Sequence, residues 1–159
     1  MAYLTQIAPY LRARAPRFSQ SPVRRTMAHM LLSHVAIQCA DLEASAQFYD
    51  AVLAPLGAGR LHDMSPHAIG YGQSKPVPMP QLWIGPQETG NGFRETHIAF
   101  QAENRDQVDK FFAEAIRAGA IELHAPKLWP EYGPGYYGAF VRDPDGNNIE
   151  ACFIDPDIK

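Results

Sequence analysis

His34-Val35-Ala36-Ile37-Gln38 and His97-Ile98-Ala99-Phe100-Gln101 are one motif written twice. Later residues keep the same offset: Phe48-Tyr49 falls opposite Phe111-Phe112, and Leu53 falls opposite Ile116. Self-similarity at a fixed period marks a duplicated supersecondary unit, so the chain is read as two copies. Each copy opens on an alternating run, the pattern of a strand. A capping residue follows, Asp41 in the first copy and Asn104 or Asp106 in the second. Apolar residues at helical spacing come next. They are Leu42, Ala46, Tyr49 and Leu53 in the first helix, which ends at Pro55 and Gly57. In the second they are Val108, Phe111, Phe112, Ala115 and Ile116, ending at Gly119.

Beyond the helices the sequence predicts short strands at 67–71 and 81–85 in the first copy, and at 121–123, 137–142 and 148–154 in the second. Asp143-Pro144-Asp145-Gly146 separates the last two, a hairpin signal because glycine accepts a positive φ. The expectation is an α+β fold of two tandem βαβββ modules, module one over about 31–87 and module two over about 97–154, within one domain spanning 30–159. Asp143-x-Asp145-x-Asn147 opens like a calcium-binding EF-hand loop, but the required glycine stands at the fourth place instead of the sixth.

The chain has 159 residues and a net charge of −3, and its basic residues form no stripe along the repeats. Nucleic acid is therefore not the expected partner. No run is long and apolar enough for a membrane span. Two cysteines, Cys39 and Cys152, are too few for a disulfide scaffold and suit a reducing compartment. Residues 1–29 stand apart. They contain Arg12, Arg14, Arg17, Arg24 and Arg25 but no acid, and Pro9, Pro16 and Pro22 interrupt any helix. This leader is expected to be disordered or to act in targeting. A cytoplasmic protein is expected, or a mitochondrial one if the leader is a transit peptide.

The chemistry concentrates on the strands. Glu150 sits mid-way along an apolar strand, where an unpaired buried carboxylate costs several kcal/mol. His34 and His97 occupy equivalent places in the repeat. Two histidines and one carboxylate form a facial set for a divalent first-row ion, with positions left open for water or substrate. His34, His97 and Glu150 are therefore the expected metal ligands. The ion is Fe, Mn, Ni or Zn, since mixed nitrogen and oxygen ligation does not select among them. Trp129, Tyr132, Tyr136 and Tyr137 lie in a loop rich in Pro and Gly that is expected to border the site, with Trp83 as a further substrate contact.

Four stretches together resemble the vicinal oxygen chelate superfamily, the group of glyoxalases, bleomycin-resistance proteins and extradiol dioxygenases. They are His34-Val-Ala-Ile, the run from Asp41 to Tyr49, His97-Ile-Ala-Phe, and the run from Phe140 to Glu150. The resemblance covers residues 31–154. It implies that the two modules form a cupped mixed sheet around a metal. It also places His34 on the first strand of module one, His97 on the first strand of module two and Glu150 on the last strand. Glyoxalase I enzymes add a glutamate from the last strand of module one; here that stretch reads Gln81-Leu-Trp83-Ile-Gly85, without a carboxylate. Extradiol dioxygenases use three ligands and a tyrosine, for which Tyr136 or Tyr137 is the candidate.

The resulting expectation is a metal-dependent enzyme acting on a small molecule with adjacent oxygens, a glyoxalase-like lyase or isomerase with Glu150, Tyr136 and Tyr137 as catalytic groups. The alternatives are an extradiol-type ring-cleaving dioxygenase and a non-catalytic binding protein of the bleomycin-resistance type. The sequence leaves the assembly open, with a homodimer as one candidate.

Overall fold

Alternation along the first strand decides which side becomes core. In β1 (Val35–Cys39) Ile37 and Cys39 turn toward the helix while Ala36 and Gln38 stay exposed. The structure is a computed structural model that describes residues 32–75, 78–88, 90, 92 and 94–158. The leader 1–29 lies outside the described residues.

Helix α1 (Leu42–Leu53) begins where Asp41 accepts a hydrogen bond from the Ala44 amide at 3.0 Å. Its buried side chains, among them Ala46, Phe48, Tyr49, Val52 and Leu53, recur every three or four residues, the stripe a helix needs to face a sheet. A 3₁₀ turn at Ala54–Leu56 and Gly57, at φ +71°, end it. Strands β2 (Ala58–Met64), β3 (Ala68–Gln73) and β4 (Leu82–Pro86) complete module one. Module two repeats the order with β5 (His97–Gln101), α2 (Arg105–Arg117), β6 (Ile121–Leu128), β7 (Tyr136–Arg142) and β8 (Asn148–Ile154). Asn104 caps α2 by accepting from the Gln107 amide.

The two sheets have matching orders, β1-β4-β3-β2 and β5-β8-β7-β6, with the first and last strand of each module paired in parallel and the rest antiparallel. This is the expected α+β fold. Two strands depart from expectation. β2 was hidden by its polarity: Arg60 and Asp63 pair with each other, and Arg60 also binds Asp50 of α1. Edge strands tolerate such residues because one side of the ladder meets water. β6 runs on to Leu128 through Pro126, which an edge strand also tolerates.

Each helix packs on its own sheet, and α1 packs on α2. The turn after β7 ties the modules together. Asp143 accepts the Tyr49 hydroxyl at 2.8 Å as well as the Asn147 amide and side chain, and Asp145 accepts the Ala40 amide and the Ser45 hydroxyl. Burial and the Asp143 carboxylate push the Tyr49 phenol up. Among the described residues no helix is long and apolar enough to cross a membrane.

Candidate functional site

Strand register sets the site. Side chains at alternate positions leave the helices behind and share the opposite face. One row across that face of module one reads Ala36, Trp83, Gly70, His62. The equivalent row of module two reads Ala99, Glu150, Phe140, His124. Trp83 is thus the counterpart of Glu150, and His62 of His124. Neither histidine was expected at the site. The signal that would have found them is the repeat itself, carried through to the strand hidden in module one.

Glu150 is 2% exposed. Its Oε1 accepts the Tyr136 hydroxyl at 2.6 Å, and its Oε2 lies 3.3 Å from His97 Nε2. Gly138 makes room for this contact, since a Cβ there would stand 3.1 Å from Glu150 Oε1 and 3.3 Å from the Tyr136 ring. His97 Nδ1 lies 3.2 Å from the Asn148 carbonyl, an acceptor, so Nδ1 carries a proton. The other nitrogen then faces a carboxylate oxygen, and two acceptors cannot meet without a cation between them. A proton on Nε2 answers this. The hydrogen bond to Glu150 accordingly holds the His97 pKa above the usual imidazole value, against the effect of burial. Burial, and then the bond to Glu150, push the Tyr136 phenol up.

Three of the expected aromatic residues form a chain leading to Glu150. Trp129, its Nε1–H donating to the Gly138 carbonyl, stacks on Tyr132 with centroids 5.4 Å apart, and Tyr132 meets Tyr136 edge-on at 5.4 Å. Tyr137 is a correction. It points to the helix side, with its hydroxyl donating to Asp109 at 2.7 Å and the Arg105 guanidinium 5.3 Å over its ring. Burial, then Asp109, push its phenol up to about 12. The cause is strand parity: Tyr137 shares its side with Ala139 and Val141 of the core, whereas Tyr136 shares the other with Phe140.

The expected metal set is brought together only in part. His97 and Glu150 meet, but His34, just ahead of β1, does not join them. Among the described residues no three His, Cys, Asp or Glu side chains are placed to hold one ion. Catalytic divalent sites keep about three protein ligands, so the pair alone does not fit the metal that the resemblance implies.

Residues 31–151 match the family described as Glyoxalase/Bleomycin resistance protein/Dioxygenase superfamily. The Arabidopsis thaliana protein named Glyoxylase I 4 is 30% identical over 131 residues, which cover 78% of this chain and 71% of that protein. YqjT of Bacillus subtilis (strain 168) is 26% identical over 123 residues, covering 75% of this chain and 95% of that protein. A solved glyoxalase/bleomycin resistance protein from Albidiferax ferrireducens T118 superposes with a TM-score of 0.63 at 29% identity, covering 78% of this chain and 98% of its own.

Proposed function

The chain belongs to the glyoxalase/bleomycin resistance protein/dioxygenase superfamily, and from that premise we propose that it is a glyoxalase-like isomerase or lyase that moves a proton on a small molecule with adjacent oxygens. The observation that carries the reading is the buried Glu150 held between Tyr136 and His97. Glu150 takes the proton from the hydroxyl-bearing carbon beside a carbonyl and returns it to the carbonyl carbon, while the hydroxyl proton passes to the former carbonyl oxygen, so oxidation and reduction balance within the substrate. Tyr136 fixes the carboxylate's orientation. Protonated His97 stands beside the negative charge that builds on the oxygens as the proton leaves. Trp129 and Tyr132 form the wall behind Tyr136. No step here passes through a metal. A homodimer is part of the same reading, and sedimentation of the purified protein tests it.

Incubation in D₂O with a panel of thiol adducts of 2-oxoaldehydes and of α-hydroxy ketones tests the chemistry, with NMR following deuterium at carbon. The wild type incorporates deuterium into at least one member, and Glu150→Gln stops it. Equal incorporation by both proteins, or none by either across the panel, contradicts the proposal. A binding protein is the second reading, favoured by Trp83 standing where a fourth ligand of glyoxalase I type would be. It predicts that the Gln variant keeps full affinity for a ligand that the wild type never alters.

A further inference from the structure

We infer that the sheet face of module one built by Trp83 and His62 is a shelf that binds a flat aromatic or heteroaromatic ring. Three independent features point to it. The planes of the two rings lie within 14° of each other with centroids 6.0 Å apart. Nearly parallel rings at that separation make an offset-stacked pair, an arrangement that a further flat ring can extend. Trp83 is only half-buried and His62 is exposed, so the surface is available.

The backbone beneath the shelf is cut to fit it. Gly70 lies between Trp83 and His62 in the row, and a Cβ there would come within 3.0 Å of the indole and 2.9 Å of Pro80. Only glycine lets the indole lie flat across β3. The equivalent place in module two holds Phe140. The aromatic bulk has therefore moved one strand across, from Phe140 on β7 in module two to Trp83 on β4 in module one.

A cleft of about 270 Å³ opens on the β1 side of Trp83, where Ala36, Ala68 and Gly85 leave room along it; His62, across Gly70 from the indole, lies outside its lining. That is just under the usual range for ligand sites, roughly 300–1,000 Å³, and it suits one or two rings. Glu88 and His67 both line it, so a neutral ring suits it. That this ring and the group at Glu150 belong to one molecule rests on the function proposed above; the shelf itself does not.

The full-length protein is titrated with 2-naphthol and with its saturated analogue, decahydro-2-naphthol, by calorimetry and by NMR of the indole N–H signals. The chain has two tryptophans, so two such signals report separately on the shelf and on Trp129, whose N–H is held by Gly138. 2-Naphthol is expected to shift the Trp83 signal, to bind at least tenfold more tightly than the saturated analogue, and to lose at least tenfold in affinity in Trp83→Ala. Gly70→Ala keeps every ring but displaces the indole, and is expected to weaken binding several-fold. Equal affinity of wild type and both variants, equal affinity for the two probes, or a shift confined to Trp129 overturns the inference. Glu150→Gln should leave 2-naphthol binding unchanged. Failure of the shelf and failure of the proton-transfer reading are therefore read on different variants.

Discussion

Module one and module two have the same strand order, a capped helix each and an equivalent row of sheet positions, yet they differ in chemistry at the two central places of that row. Where module two buries Glu150 beside Phe140, module one sets Trp83 over Gly70. Duplication copies a backbone, and the backbone decides only where a side chain can stand. One half of this molecule buries a carboxylate among aromatic rings, and the other lays an indole over a glycine. The comparison is useful because every residue of one half has a built-in control in the other.

The largest effect is expected from cutting the tie between the halves. The turn at Asp143 belongs to module two, and its buried carboxylate receives the Tyr49 hydroxyl together with the Asn147 amide and side chain. Asp143→Ala leaves the Tyr49 hydroxyl and the Asn147 donors without their acceptor and is expected to lower stability by several kcal/mol, about 1–3 for each buried donor left unpaired, read by chemical denaturation. A loss below about 1 kcal/mol, close to that of a surface change, would mean that helix packing and the Asp145 contacts join the modules without Asp143.

The repeat-equivalent histidines come next. His97→Ala is expected to lower Glu150-dependent deuterium exchange by about 100-fold or more, within the range for a general acid–base group, while His34→Ala stays within a few-fold. Equal losses, accompanied by loss of bound metal in both variants, would bring back the three-ligand set of His34, His97 and Glu150. Tyr136→Phe follows. It leaves one oxygen of a buried carboxylate without a partner, so about 1–3 kcal/mol of stability should go, and the exchange rate should fall with it. The same change at Tyr137, on the helix side, should leave exchange untouched.

The smallest effect is a pH dependence. The folded pKa of His97 is raised by Glu150, so the pair's contribution is fully present below the ordinary imidazole pKa of about 6.5 and fades as pH rises through the folded value. The stability advantage of wild type over His97→Gln should therefore shrink on going from acid to alkaline pH. An advantage that grows with pH would show that His97 is neutral in the fold.

Much of this was readable in the residues, for identifiable reasons. The paired histidine motifs, the Asp41 and Asn104 caps and the Asp143–Gly146 turn are local signals, and the fold keeps them as local structure. Glu150 was legible as a residue in need of a partner because charge in an apolar strand is costly wherever it lies. What escaped depends on register. β2 reads as loop until Arg60 is seen bound to Asp50 and Asp63, and without β2 there is no place on the sheet for His62. Tyr136 and Tyr137 differ by one position, and a strand turns that single step into opposite faces. Counting back from Val141 and Ala139, both apolar and both in the core, would have sent Tyr137 inward. The separation of His34 from His97 and Glu150 among the described residues is a different matter, because no local pattern says which side chains from separate sheets will meet.

The central claim is that module two holds a charged proton-handling pair, and a pH titration of the His97 ring by NMR in wild type and in Glu150→Gln tests it most directly. The wild-type ring should titrate above the ordinary imidazole value, and the Gln variant should bring it back down, because the carboxylate facing Nε2 has been replaced by a neutral amide. A His97 titration that is the same in both proteins would contradict the pairing and with it the proposed chemistry.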